Sequence, residues 1–262
     1  MISRKQAAYF SSLKEKKYRQ REQKFLVEGV RLCEELFASE FLVEDVVYCR
    51  AALSSERAQR LLDMCRKQTI AVDEISEGLL RKICDTVQPQ GVLAVAQKPR
   101  AGLEQLLPRG ARNLIMLDHI QDPGNLGTIL RTAAWFGIDG LLLSKHCVDW
   151  SNPKAVRASM GAVFHVPVLD DIDLPNTLLW LQEQGSSLFL VDVAGETSVY
   201  EAEFDRKNIF LFGGETRGVQ ASVKKLAKTS LKIPRAGTGD SLNVAVAAGV
   251  ILSELSRRGD LE

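Results

Sequence analysis

The sequence has no uninterrupted apolar stretch near the roughly 20 residues that span a bilayer. Its opening residues, Met1 to Lys5, lead into polar sequence without a signal-peptide core. Its five cysteines (Cys33, Cys49, Cys65, Cys84, Cys147) are scattered, odd in number and form no CxxC pair. That excludes a disulfide framework and a zinc ribbon, and it suits a reducing cytoplasm. No GxGxxG follows a strand-like run, and no nucleophile elbow is present. Gly213 to Gly218 has the spacing of a phosphate loop, but Val219 and Gln220 stand where Lys and Ser/Thr are needed. A nucleoside-triphosphate site is therefore excluded. Asp118, His119 and Asp122 read as loop surface, so no metal site is expected.

What is present is an ordinary globular composition, 45% hydrophobic and 26% charged over 262 residues. The length allows one large domain or two smaller ones. A net charge of +1 conceals an asymmetry. Eight basic residues fall between Arg4 and Lys24, against Glu15 and Glu22 alone, with Tyr9, Phe10 and Tyr18 among them. Basic side chains interleaved with aromatics can contact phosphates and stack on bases. A solvated amphipathic helix accounts for the same segment equally well.

Strand-like and helical stretches alternate along the chain, which implies a sheet covered by helices and an α/β class. In the first hundred residues, strands are expected at 25–29, 43–49, 69–72 and 91–96. Helices are expected at 30–38, from Ser54-Ser55-Glu56 to Lys67, and at 76–84. The Pro/Gly-containing stretches Lys98 to Gly102 and Pro108 to Gly110 bracket a linker. The expected division is a first domain of residues 1–97, a linker 98–111 and a second domain 112–262. In the second, strands are expected at 113–117, 140–143, 187–191, 208–212 and 231–233. Helices are expected at 126–136, 153–160, 176–184, 219–227 and about 242–258.

Three strand-to-loop junctions carry residues suited to chemistry, and ligands of open α/β sheets bind beyond the carboxyl ends of strands. The first runs from Leu117 through Asp122-Pro123-Gly124-Asn125 to Arg131. Asn125 is expected to cap the helix. Gly127 is expected to leave room for substrate, and Arg131 interrupts an otherwise apolar helical run. The second is Phe212-Gly213-Gly214-Glu215-Thr216-Arg217-Gly218, where glycines allow close approach of a ligand to the backbone. The third runs from Ile233-Pro234 through a Gly-rich loop to Ser241-Leu242-Asn243-Val244 and the long last helix. Asp240 or Ser241 can cap the helix there, Ser241 and Asn243 taken alone read as capping residues, and the free N–H groups of a helix start can hold polar ligand atoms.

Together and in this order the junctions resemble the SpoU/TrmH family of the SPOUT superfamily, RNA ribose 2′-O-methyltransferases. Asn125-x-Gly127-x-x-x-Arg131, Phe212-Gly213-Gly214-Glu215-x-x-Gly218, and Ile233-Pro234 with Ser241-Leu242-Asn243-Val244 match its three motifs. Asn152 to Gly161 matches the segment between the first two. Gly214 departs from the Ser, Asn or Ala frequent there, and Thr216-Arg217 follows Glu215. The resemblance implies an α/β catalytic domain with a deep trefoil knot, a feature that sequence physics would not propose. It implies S-adenosyl-L-methionine as cofactor, held at Gly213, Ile233 and Leu242, no metal, and a homodimer. Phe25 to Gly29 suggests a small ribosomal-protein-like α/β/α RNA-binding domain in front.

By the same resemblance Arg131 acts on the 2′-hydroxyl, while Asn125, Glu215, Ser241 and Asn243 position substrate and shape the loops. A guanidinium with a pKa above about 12 is a poor base. A substrate phosphate taking the proton, with Arg131 orienting the hydroxyl, remains an alternative. Ribosomal RNA is the expected substrate by analogy with members carrying such a front domain. The other readings are a tRNA 2′-O-methyltransferase, a non-catalytic RNA-binding protein, and a small-molecule α/β enzyme. The last is disfavoured by the missing motifs.

Overall fold

The computed structural model describes residues 2–53, 55–68, 70–99, 102–106 and 111–259. Ser54, Thr69 and much of the expected linker, including Arg100, Ala101 and Pro108 to Gly110, lie outside the described residues. The chain divides into two compact units, one of Met1–Arg100 with Ser151–His165, the other of Ala101–Trp150 with Val166–Glu262.

The first unit begins with helices α1 (Arg4–Ser12) and α2 (Lys16–Glu22). A reciprocal cap starts α1: Ser3 Oγ accepts from Gln6 N, and the Ser3 N–H donates to the Gln6 side chain. There follow β1 (Lys24–Glu28), α3 (Val30–Phe37), β2 (Val43–Tyr48), α4 (Glu56–Lys67), β3 (Ala71–Glu74), α5 (Glu77–Ile83) and β4 (Val92–Gln97). The sheet order is β1-β4-β2-β3, antiparallel except for the β2/β3 pair. Phe10 and Leu13 of α1 with Leu80 and Ile83 of α5 pack on Leu26, Val47, Leu93 and Val95. Helix α3 contacts β1, β4 and α4. The result is an α/β/α arrangement.

Two residues of the basic front segment are structural. Phe10 belongs to the core, and Arg19 is 1% exposed and donates to the Leu13 and Lys14 carbonyls. These two side chains are therefore outside any RNA contact made by this segment. Tyr18 does sit between cations, 4.7 Å from Lys17 Nζ and 4.9 Å from the Arg21 guanidinium.

The segment Ser151–His165, assigned from sequence to the second domain, groups with the first unit through definite contacts. It contains α8 (Pro153–Ala158). Arg157 donates to Asp85 Oδ2 at 2.7 Å and approaches the buried Glu28 carboxylate. His165 pairs with Glu35 at 2.9 Å, and the Phe164 ring stacks on Phe25 and meets Phe41 edge-on.

The second unit comprises α6 (Leu103–Leu106), β5 (Asn113–Asp118), α7 (Pro123–Trp135), β6 (Gly140–Ser144), β7 (Val168–Ile172) and α9 (Leu174–Glu183). After these come β8 (Ser187–Val191), β9 (Thr197–Ser198), β10 (Asn208–Gly213), α10 (Ala221–Lys224), β11 (Thr229–Lys232) and α11 (Val244–Arg258). Its sheet runs β7-β6-β5-β10-β8-β11-β9, and every pairing is parallel. Strands β5 and β6 are buried along their whole length, as expected for parallel strands covered on both faces. Leu174, Leu178 and Leu181 of α9 cover one face through Leu114, Met116, Leu188 and Leu211. Helices α7 and α11 pack on each other. Strands β7 and β9 were not expected, and α10 is a single turn where a longer helix was read.

Candidate active site

The strand order places the junctions together. β5 and β10 are neighbours, and β8 separates β10 from β11, so three loops leave the same end of one sheet. Asp118, expected on the loop surface, is instead fully buried at the end of β5. Its oxygens accept from Gln220 N at 2.9 Å and Gln220 Nε2 at 3.1 Å, and its carbonyl accepts from Gly214 N at 2.8 Å. The carboxylate thereby fixes the bend from β10 towards α10. Sequence gave no signal of this partnership, which spans 102 residues.

Only glycine fits at two places in that bend. A Cβ on Gly213 would lie 2.6 Å from Val219 N, and one on Gly214 would lie 2.8 Å from the His119 carbonyl carbon and still nearer its oxygen. His119 adopts a left-handed φ of 58°, which turns its carbonyl into this contact. The departure at Gly214 thus has a local steric cause.

One capping expectation is corrected and another is narrowed. Asp122, with Pro123 at the first helical position, caps α7 by accepting from Asn125 N at 2.8 Å. Asn125 is therefore relieved of capping. Of the capping candidates Asp240, Ser241 and Asn243, it is Asn243 that caps α11 through Oδ1, which accepts from Ala245 N at 2.9 Å. Its Nδ2 donates to Asn125 Oδ1 at 2.9 Å and Glu215 Oε1 at 3.2 Å, and Asn125 Nδ2 reaches the same Glu215 oxygen at 3.3 Å. One residue from each junction closes a ring of hydrogen bonds. The Asp-Pro pair was the signal for the true α7 cap.

Beside this ring lies a cavity of about 520 Å³, within the usual range for small-molecule sites. Gly213, Glu215, Ile233, Ser241 and Leu242 line it, as do the Gly-rich loop Pro234 to Asp240 of the third junction and Val191 to Val193, the last of which sequence reasoning did not single out. Val191, Val219, Ile233, Leu242 and Ala247 give it apolar walls, and Asp192, Glu215 and Asp240 contribute carboxylates. Lys224, 2.8 Å from Asp192, holds that carboxyl below its ordinary pKa. Arg235 donates to the Gly239 carbonyl across the loop.

Arg131 is placed differently. It is exposed on α7, does not line the cavity, and has no ion pair or hydrogen bond among the described residues. Gly127 is buried, so the room expected there for substrate is taken by packing within the unit.

A parallel sheet with a glycine-walled cavity over its carboxyl ends, bordered by a polar ring, defines an α/β enzyme that binds a small molecule of mixed apolar and charged character. Comparison with known proteins specifies the kind. Residues 112–253 match the SpoU rRNA Methylase family, and residues 5–94 match the MRM3-like substrate binding domain. An uncharacterized tRNA/rRNA methyltransferase of Synechocystis is 36% identical over 80% of this chain and 76% of its own length. The 23S rRNA (guanosine(2553)-2′-O)-methyltransferase RlmP of Bacillus subtilis is 30% identical over 94% of both chains. The SpoU methyltransferase AviRb of Streptomyces viridochromogenes, solved with AdoMet, superposes with a TM-score of 0.87 at 27% identity over 98% of both chains. The chain belongs to the SpoU rRNA methylase family. It is an S-adenosylmethionine-dependent RNA 2′-O-methyltransferase.

The cavity suits that cofactor on its own terms. Apolar walls match an adenine ring, glycine backbone permits close approach, and three carboxylates match the positive charge of a sulfonium and an ammonium. No helix among the described residues is long and apolar enough to cross a membrane.

Proposed function

We propose that the protein methylates a ribose 2′-hydroxyl of ribosomal RNA, with residues 112–262 as catalytic domain, 98–111 as linker and 1–97 as RNA-binding domain. The observation that carries this reading is the Asn125–Glu215–Asn243 ring closed at the edge of the cavity. Its support on the substrate side is the named activity of RlmP and the match of residues 5–94 to a substrate-binding domain. The exposed Lys17 and Arg21 around Tyr18 provide phosphate contacts and a ring suited to bases.

When bound, S-adenosylmethionine supplies a methyl group on a sulfonium, with a neutral thioether as leaving group. The chain's own residues position and stabilise. Glu215 is oriented by two side-chain amides, and Ser241 and Leu242 at the mouth shape the approach of the ribose. Gly213, Ile233 and Leu242 hold the cofactor, chiefly through backbone atoms. Arg131 orients the 2′-hydroxyl and offsets its developing negative charge, while the adjoining substrate phosphate accepts the proton.

A homodimer completes this site. Trp135 of α7 is 84% exposed, and Val246 of α11 and Leu242 in the loop before it are half-exposed, apolar side chains carried on two helices that pack together. Such a surface marks an interaction site, and Arg131 lies on the exposed side of the same helix. A second copy seated there brings Arg131 to its partner's cavity. The reading includes a deep trefoil knot, with α11 threaded through a loop, which the likeness to the SpoU family supports. The free, buried cysteines suit a reducing cytoplasm.

The test is a comparison of 2′-O-methyl positions in ribosomal RNA from cells with and without the gene, alongside calorimetry with S-adenosylmethionine. One methylated position lost with the gene is the expected result. Unchanged rRNA together with a transfer-RNA position lost would reassign the substrate, and absence of cofactor binding would end the enzymatic reading.

A further inference from the structure

Two imidazoles lie stacked at the sheet end that carries the active site. Because β5 and β6 are parallel neighbours, the residues that follow them meet beyond their carboxyl ends. The rings of His119 and His146 are 4.5 Å apart at an interplanar angle of 17°. His119 is the inner ring, with its side chain 10% exposed. Its Nδ1 lies 2.9 Å from Asp118 Oδ1, yet makes no aligned hydrogen bond, while Asp118 accepts from Gln220. His146 is the outer ring and is exposed, as is Lys145 beside it.

The two loops are tied together beneath the rings. The backbone N–H groups of His119 and His146 both donate to Ser144 Oγ, at 3.4 and 3.3 Å. Val148 N donates to the Ile120 carbonyl at 2.8 Å, and the Cys147 thiol donates to the Leu117 carbonyl at 3.3 Å. The His119 carbonyl itself abuts Gly214, the neighbour of Glu215. The outer ring thus stands on a backbone tied to the loop after β5, with one face covered by His119.

We propose that the His119–His146 stack is a platform for a nucleobase of the RNA substrate, which stacks on His146 while Lys145 meets the adjoining phosphate. The inference rests on the assignment of RNA as substrate. Unstacked bases of single-stranded RNA are taken up on aromatic and imidazole faces, and stacking tolerates any base. A preformed, immobilised ring loses little side-chain freedom on binding. A solvated histidine without such a role would need neither an ordered partner ring nor a braced backbone.

The experiment measures methyl transfer into ribosomal RNA prepared from a strain lacking the gene, with RNA concentration varied, for wild type, His146→Ala and His146→Phe. His146→Ala is expected to raise KM for RNA by about 5- to 100-fold, the range for loss of one stacked base. Its kcat and its affinity for S-adenosylmethionine by calorimetry stay near wild type, and His146→Phe restores KM. An unchanged KM in His146→Ala, or failure of His146→Phe to rescue, overturns the platform. If wild type transfers no methyl group, the assigned activity fails separately. The platform is then decided by anisotropy with the same RNA, where equal binding by wild type and His146→Ala rejects it.

Discussion

Asn243 donates a 2.9 Å hydrogen bond to Asn125 across 118 residues of chain, while its other side-chain atom caps the last helix. One amide therefore serves stability and function at once, and substitution can separate the two. Asn243→Ala removes a cap, which costs about 1 kcal/mol, and also one of the two amides that orient Glu215. Asn125→Ala removes the other amide without removing a cap, because Asp122 holds that position. We expect both variants to lose methyl transfer by a similar factor, with a lower Tm for Asn243→Ala only. Equal Tm losses in thermal unfolding would contradict the division of labour.

Gly214→Ala places a methyl group against the His119 carbonyl. The carbonyl is held by a backbone that lies at positive φ and is braced to Ser144, so it yields poorly. Overpacking of this kind costs about 1–3 kcal/mol. The strain falls on the bend that forms the cavity wall, so calorimetry should show weaker S-adenosylmethionine binding along with the reduced Tm. An alanine variant with wild-type affinity would show that the bend can relax.

The two units differ in how far sequence exposed them. Strands β5 and β10 were legible because buried parallel strands are continuous apolar runs, and their glycine-containing exits marked the ligand side. Helix α11 was legible from its apolar spacing. What stayed hidden was long-range pairing: Asp118 with Gln220, His119 with His146, and Arg157 with Asp85 each join residues that no local pattern connects. A basic run with aromatics does not tell which of its members face solvent: Phe10 is core and Arg19 satisfies backbone carbonyls. Cap positions were ambiguous by two to three residues, since Asp, Ser and Asn all compete for that role until geometry selects one.

Arg131→Ala should leave Tm unchanged, because the side chain is exposed and has no partner among the described residues. Methyl transfer should fall by about 10²- to 10³-fold, the effect of removing a group that stabilises developing charge. Cofactor binding by calorimetry should persist. Trp135→Glu should give the same kinetic defect by a different route, monomerising the protein in sedimentation while sparing the cavity. If Trp135→Glu remained dimeric and active, the apolar face of α7 would not be the subunit contact.

Acid sensitivity should centre on Glu254. Arg257 and Arg258, at 2.7 and 2.6 Å, hold this carboxyl at about 2, below its ordinary 4.5. A carboxyl lowered on folding stabilises the native state above its unfolded pKa, and that contribution is lost as pH falls from about 4.5 towards about 2. Arg258 also donates to the Val199 and Ala202 carbonyls, so the pair fastens the end of α11 to that loop. Glu254→Gln should lower Tm at neutral pH, with the gap from wild type closing across the acidic window. A gap that stayed constant with pH would mean that packing, and not charge, is what Glu254 supplies.

RNA affinity should respond to salt through the front segment. Lys17 and Arg21 are exposed and held against Tyr18 by cation–π contact, which presents both charges on one face. Each phosphate contact contributes about 0.7 to 0.9 to the slope of log K against log salt. Replacing both residues by Ala should weaken rRNA binding and flatten that slope by about 1.4 to 1.8. Replacing the buried Arg19 should instead lower Tm, because the Leu13 and Lys14 carbonyls lose their donor. A flattened slope in the Arg19 variant without loss of stability would reverse the assignment of contact and structural roles along this segment.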